Sequence, residues 1–333
     1  MIEVSLLLSL LAQAAGLTAD APGLGAEAAS EQQVPDQPLS LEDALQAGEL
    51  LFLTNKVPAT KLRHGLRDAV AREVGEQPQI ARRIATRARD LPATLQLAVI
   101  EGLGRSAVPA ALPALAAMSR ESVGLQSFTL ESLTRLARKV GGPYGQDVYG
   151  AVRHAMLVGA PEERRLAAVA AGVLRDDEAI PALIAMLDTG DALSAGAAHR
   201  ALMEHTGIGY AASPSLWERW YRDELEFLEE QFDGQVQALR SAGAARRVQA
   251  VKAISAGRLG RDIRAAALIE FFPGVEDEAL QLQILSSLRT LNSTRALPLL
   301  RAVLQQQYSE PVRAAATRVL ASFGKPTDER SPR

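Results

Sequence analysis

Residues 163–183 read ERRLAAVAAGVLRDDEAIPAL and set the architecture of this 333-residue chain. Apolar residues recur every third and fourth position from Leu166 to Leu174, which is the period of one buried helix face. The acidic stretch Asp176–Glu178 follows that helix. Pro181 stands near the start of the next helix, where its missing N–H costs nothing. The stretch therefore predicts two helices joined by a tight turn, and such a pair can bury its apolar stripes only against neighbouring pairs.

The turn and second helix recur along the chain. The block Ala179–Leu183 has counterparts at Ala111–Leu115 and Ala296–Leu300, and the proline separations are 68 and 117 residues. These separations are close to two and three units of about 34 to 39 residues, a repeat length typical of stacked helix pairs. Another apolar stripe runs from Val312 to Phe323, and no segment alternates with period two. We predict an all-α fold without a sheet, an α-solenoid of about seven or eight helix pairs.

Small residues on these stripes predict close contact between neighbouring helices. Ala167 and Ala168 lie on one stripe, and Ala315 and Ala316 lie on another. A larger side chain at such a contact forces the helices apart. We therefore expect these four alanines to be buried.

The repeated units resemble the HEAT-repeat family of α-solenoids, and especially the short, alanine-rich units also found in bilin lyases. Besides residues 163–183, the best match is Val312–Ala316 followed by Leu320, and the resemblance covers roughly residues 90–205 and 245–323. It implies a scaffold that binds a protein or peptide partner on the concave face of the solenoid. A small-ligand accessory factor or enzyme of the bilin-lyase kind is one alternative, and a nucleic-acid-binding protein is another.

Candidate chemistry is sparse. The chain has no cysteine, which excludes disulfides, thiolate metal sites and cysteine nucleophiles. The four histidines are His64, His154, His199 and His205, and none has a recognised metal-ligand spacing. We predict a protein that is not an enzyme, with no catalytic residue, no cofactor and no metal.

The first sixty residues differ in composition from the rest. They hold eight acidic residues and only Lys56 as a basic one. An apolar run, Val4–Leu11, precedes the small-x-small pattern Ala12-Gln13-Ala14, which favours a cleaved signal peptide over 1–19, too short to span a membrane. We expect a bacterial protein exported to the periplasm or secreted. Because Glu3 stands where a basic residue is usual, a cytoplasmic protein is the alternative.

Predicted domain bounds follow from these patterns. The signal peptide is followed by a flexible linker over 20–39, and HEAT-like repeats occupy 40–208 and 243–324. Between them, 209–242 is an aromatic-rich connecting segment, and 325–333 is a disordered tail.

The connecting segment holds both tryptophans. Within a helix near 213–232, one face carries Trp217, Tyr221, Leu225, Leu228 and Phe232, and we expect this face to pack on the solenoid and join its two halves. The segment resembles an element of bacterial HEAT-repeat proteins, in which a Trp-x-x-Trp helix follows a Thr-Gly ending. Trp220 lies at the edge of the face, so we predict that its ring is partly exposed and binds a partner.

A basic cluster precedes the first strong repeat. It comprises Lys61, Arg63, Arg67, Arg72, Arg82, Arg83, Arg87 and Arg89. We select Arg83 and Arg87 as candidate partner-binding residues. Nearby acidic residues leave open a solvated, partly salt-bridged face. Since the net charge of the chain is −3, we predict no nucleic-acid partner.

Overall fold

The structure is a computed structural model that describes residues 59–121, 124–241 and 243–323, together with Leu45 and Glu49. In these ranges the regular structure is helical throughout, and no residue is in a strand. The predicted all-α class is therefore confirmed. The predicted signal peptide (1–19), linker (20–39) and tail (325–333) lie outside the described residues.

The chain forms two compact units. The first comprises Met1–Val140 with Tyr144–Ala170, and the second comprises Gly141–Pro143 with Ala171–Arg333. The division falls inside one helix, between Ala170 and Ala171, whereas the sequence analysis separated two blocks of repeats by the segment 209–242. That segment belongs entirely to the second unit.

The first unit stacks its helices in two layers. Its helices are α1 (Ala59–Glu76), α2 (Ala81–Ala88), α3 (Ala93–Arg105), α4 (Ala111–Glu121), α5 (Gln126–Val140), α6 (Gln146–Val158) and the first part of α7 (Pro161–Leu174). Helices α1, α3 and α5 pack side by side, and α2, α4 and α6 do the same. Glycines allow the first layer to pack closely, because a Cβ on Gly104 would lie 2.8 Å from the Cβ of Ser132. This is the stacking of helix pairs that the repeats predicted.

The second unit continues with helix pairs. It holds the end of α7, α8 (Ile180–Met186), α9 (Ala192–Thr206), α10 (Pro214–Glu226), α11 (Phe232–Ser241), α12 (Ala244–Ala256), α13 (Arg261–Phe271), α14 (Glu278–Leu291), α15 (Leu297–Gln305) and α16 (Glu310–Phe323). Helices α12, α14 and α16 pack side by side. The alanines selected from the stripes are buried in both units: Ala167, Ala168, Ala315 and Ala316.

One backbone conformation marks the repeated turn. Ala107, Arg175 and Asn292 are the described non-glycine residues with positive φ, at 60°, 55° and 50°. Each lies six positions before the repeat proline, at Pro113, Pro181 or Pro298 in the sequence. A left-handed residue there ends one helix and reverses the chain for the next. The three copies therefore share a backbone turn as well as a sequence pattern.

Candidate functional site

The two predicted basic site residues lie on an exposed helix face. Arg83 and Arg87 are one turn apart on α2, whose opposite face buries Ile84 and Ala88. Arg87 is 3.6 Å from a carboxylate oxygen of Asp90. Such exposed ion pairs exchange readily with water and stabilise a protein by less than about 1 kcal/mol. This face is thus partly salt-bridged, and partner binding by Arg83 and Arg87 stays a prediction.

The aromatic segment is built around Trp217. This ring is fully buried, and its Nε1 donates a hydrogen bond to the carbonyl oxygen of Ala211 at 3.0 Å. The rings of Tyr210 and Trp220 contact it edge to face, with centroids at 5.3 and 5.7 Å. Aromatic rings in this arrangement attract each other beyond their burial.

The prediction of a partly exposed Trp220 is wrong. Its side chain is only 7% exposed, because the ring lies against both Trp217 and Tyr221. Its Nε1 is buried and has no hydrogen-bond partner. A direct contact between Trp220 and a partner therefore loses its structural basis.

A π-helical turn interrupts the helix that carries the predicted aromatic face. Residues Phe227–Gln231 form this turn between α10 and α11. A π-turn holds one residue more than an α-turn, so the 3.6-residue spacing does not continue through it. Trp217 and Phe232 are buried, whereas Tyr221 and Leu225 of the same predicted face are half-buried. The sequence spacing alone carries no signal for this interruption.

Next to the aromatic helix, the second unit buries a histidine. His205 lies near the end of α9, fully buried, with Nε2 2.9 Å from Oδ1 of Asp177. The other oxygen of Asp177 accepts a hydrogen bond from the backbone N–H of Gly260 at 2.9 Å. Burial lowers the pKa of His205, and the charges of Arg261 and Arg175 lower it further, although Asp177 acts in the opposite direction. His205 is therefore neutral near pH 7, and neither of its ring nitrogens has a well-oriented hydrogen bond within the described residues.

A buried ion pair joins the aromatic helix to the same turn. Arg264 is 1% exposed, and its Nη2 donates to Oε2 of Glu224 at 2.8 Å. Glu224 also accepts hydrogen bonds from the backbone N–H groups of Arg258 and Leu259. The remaining donors of Arg264 bind carbonyl oxygens, and its guanidinium lies 4.5 Å from the centre of the Phe227 ring. Both charged groups are hydrogen-bonded, so the pair Glu224–Arg264 joins α10 to the turn before α13. We call this contact the polar joint.

The contact between Glu224 and Arg264 was not predicted from the sequence. No local pattern assigns a partner to Glu224, whereas in the structure it accepts hydrogen bonds from the backbone N–H groups of residues 258 and 259. One signal was available: Arg264 directly precedes Ala265 and lies four residues before Leu268, so a charge occupies the apolar stripe of α13.

Arg261 lies in the same region as Arg264. Arg261 donates to the carbonyl oxygens of His205 and Thr206 at the end of α9, the latter at 3.2 Å. Burial lowers the pKa of Arg261 to about 9, and the neighbouring charges of Arg175 and Arg258 contribute to the shift. We call Arg175, Arg258, Arg261 and Arg264 the arginine cluster.

The histidine of this group has no access to solvent. His205 is closed off from solvent, and each carboxylate oxygen of Asp177 lies beside a protein donor. In the described part of the chain, no three His, Asp or Glu side chains are grouped so that they could hold a metal ion. None of the described helices combines the length and the apolar content that crossing a membrane requires.

Comparisons with known proteins add a distant structural likeness. No protein-family model and no curated protein matches the chain. Among solved structures, the chain is similar to the complex of CpcE and CpcF of phycocyanin lyase from Nostoc sp. PCC7120, at 14% identity and a TM-score of 0.35. The match covers 91% of this chain and 100% of the other. A likeness this low carries no conclusion about function.

Proposed function

We propose that this chain is a non-enzymatic scaffold that binds an amphipathic helix of a partner protein. The observation that carries the proposal is an exposed apolar face on α9. Leu193 is 66% exposed and Met203 is 38% exposed, whereas Ala198 on the opposite side of the helix is buried. Gly196 lies between them, and a Cβ built there would have nothing within 4 Å. Leu193 and Met203 are therefore two exposed apolar side chains beside open space at Gly196, which can admit a partner side chain.

An exposed tyrosine extends this face. Tyr210 is 40% exposed, and its carbonyl oxygen lies 2.7 Å from Nε2 of His199 on α9. Its ring rests on buried Trp217, so the side chain is held in place. Tyr and Met are enriched at protein interfaces, where a held ring loses little entropy on binding. We call Leu193, Gly196, Met203 and Tyr210 the α9 surface.

The kind of partner follows from the shape and charge of the α9 surface. An apolar helix face with a gap at a glycine suits an amphipathic helix with anchors three or four residues apart. Arg200 lies on the same exposed side of α9. A carboxylate on the partner helix would pair with it and fix the direction of binding.

Photocrosslinking in the native host tests this function. A benzoyl-phenylalanine crosslinker at Gly196 should capture one protein, and a crosslinker at exposed Gln306 should not capture it. Capture should be lost in Leu193→Asp and retained in Leu304→Asp, because Leu304 is also an exposed leucine but lies on α15. Circular dichroism should show the same helix content in both variants. Equal capture at both positions, or equal loss in both variants, contradicts the proposal.

The small-ligand alternative has less support. It requires Tyr, Asp and Trp side chains that line a groove together. Tyr221 does lie near Asp177, whose charge adds to burial in raising the pKa of the tyrosine hydroxyl. Both tryptophan rings beside it are buried, however, so neither can stack on a ligand. The partner-binding function is therefore the one we favour.

The export predicted from residues 1–19 is a separate proposal. A protein that starts near residue 15 or 20 when purified from the native host would support it. A chain that retains Met1 in the cytosolic fraction would contradict it. Intact mass spectrometry of each fraction makes the distinction.

A further inference from the structure

The arginine cluster brings like charges together inside the second unit. The carboxylates of Asp177 and Glu224 favour the charged forms of Arg261 and Arg264. The charges of Arg175 and Arg258 act against that of Arg261, and Arg258 also acts against Arg264. Guanidinium groups stay charged near pH 7, so this arrangement costs free energy unless something offsets it.

The carboxylates of the cluster are already committed to other donors. Asp177 accepts from the backbone N–H of Gly260 and lies beside Nε2 of His205. Glu224 accepts from two backbone N–H groups and from Arg264. Neither carboxylate makes a hydrogen bond to the guanidinium of Arg258 or Arg261.

The arginines do not have equal structural roles. Arg264 and Arg261 donate to backbone carbonyls and thereby hold helix ends in place. Arg258 differs, because its Nη1 is buried and has no hydrogen-bond partner. A buried donor without a partner costs about 1–3 kcal/mol. The folded protein therefore bears this free-energy cost at Arg258, since no hydrogen bond within the described residues satisfies the donor.

The cluster also reaches the surface. Arg175, Arg258 and Arg261 are half-buried, and the side chain of Asp177 among them is 38% exposed. Half-buried guanidinium groups are well suited to oxyanions, because their paired N–H donors match two oxygen atoms and the charges are only partly screened by water. An oxyanion would offset the repulsion and give Arg258 an acceptor.

We infer that the arginine cluster binds a small oxyanion, with phosphate and dicarboxylates as the ligand class. The site involves Arg175, Arg258 and Arg261, and it is distinct from the α9 surface. Arg264 stays paired with Glu224 and does not bind the oxyanion. Binding does not require the partner protein.

Titration of the full chain with inorganic phosphate tests the site. Calorimetry at constant ionic strength should show saturable binding to one site. Arg258→Gln should weaken this binding about tenfold or more, since it removes a charge-assisted contact. The fold should be retained, because Glu224 contacts the backbone N–H of residue 258 and not the guanidinium. Arg240→Gln is the matched control: it removes an exposed arginine that pairs with Glu270 on the same unit.

The outcomes separate a site from general charge attraction. Phosphate should raise the melting temperature of the wild type and of Arg240→Gln, and should raise that of Arg258→Gln less. Succinate identifies the ligand source: competition with phosphate assigns the site to dicarboxylates as well, and its absence restricts the site to tetrahedral dianions. Absence of saturable phosphate binding, or equal weakening in the two variants, overturns the inference.

Discussion

The two units of this protein differ in their charge balance and in the burial of their charged side chains. Residues 59–170 hold 16 Lys and Arg against 10 Asp and Glu, and residues 171–323 hold 16 against 19. In the first unit, ion pairs such as Arg89–Glu121 lie at the surface, with both side chains more than 40% exposed. In the second unit, Arg264 is closed off from water and paired with Glu224, which is distant in sequence, and His205 is buried beside Asp177. Repeats of one kind can thus be joined by apolar packing alone or by packing around a polar joint.

The largest expected effect comes from breaking the polar joint. Glu224→Ala leaves Arg264 buried without its carboxylate, which costs about 3–5 kcal/mol of unfolding free energy. The same change in the first unit, Glu121→Ala, removes an exposed partner of Arg89 and should cost less than about 1 kcal/mol. Urea denaturation measures both. Equal losses would mean that the two units do not differ in how charge contributes to stability.

Within the second unit, the two tryptophans compare a hydrogen-bonded indole N–H with one that has no partner. Trp217→Phe removes the donor to the Ala211 carbonyl, whereas Trp220→Phe removes an N–H that has no partner. Both substitutions remove the same atoms, so the difference isolates the hydrogen bond. We expect Trp217→Phe to be more destabilising than Trp220→Phe by about 1–2 kcal/mol. A greater loss for Trp220→Phe in thermal melts would show that the indole N–H of Trp220 is bonded in solution.

Two glycines test close packing against open surface. Gly104→Ala in α3 places a Cβ 2.8 Å from that of Ser132, and the overpacking should cost about 1–3 kcal/mol. Gly196→Ala in α9 meets nothing, and better helix propensity should stabilise the second unit by about 0.5–1 kcal/mol. Opposite shifts in melting temperature are expected. A loss at Gly196 would mean that another part of the protein covers the α9 surface.

The smallest effect is a dependence on pH. The pKa of His205 is lowered in the folded protein, so the unfolded chain binds more protons below about pH 6.5. Stability is therefore complete above that pH and is lost as the pH falls toward the lowered value. His205→Gln keeps a donor near Asp177 and should flatten this loss. The exposed His154 is the control, since His154→Gln should leave the pH dependence unchanged.

Local sequence patterns predicted most of the fold. The repeat proline, the apolar stripes and the alanines foretold helix pairs in contact, and the burial of Ala167 and Ala316 agrees. The candidate sites were less predictable. The exposed positions of Arg83 and Arg87 follow from the helix phase of α2, whereas Trp220 at the edge of its stripe was assigned the wrong environment. Helix phase assigns the centre of a face well, but its edges depend on the neighbouring elements.

Sequence by itself determined which segments of this protein are helical, where the repeated turns fall and that cysteine chemistry is absent. Helices and turns are predictable because they depend on residues within one or two helical turns. Only the tertiary structure decided which polar groups are buried together. Asp177 and Gly260 are 83 positions apart, and Glu224 and Arg264 are 40 apart. Neither partner signals the other locally. Long-range pairing of charge therefore made the joint that distinguishes the second unit from the first.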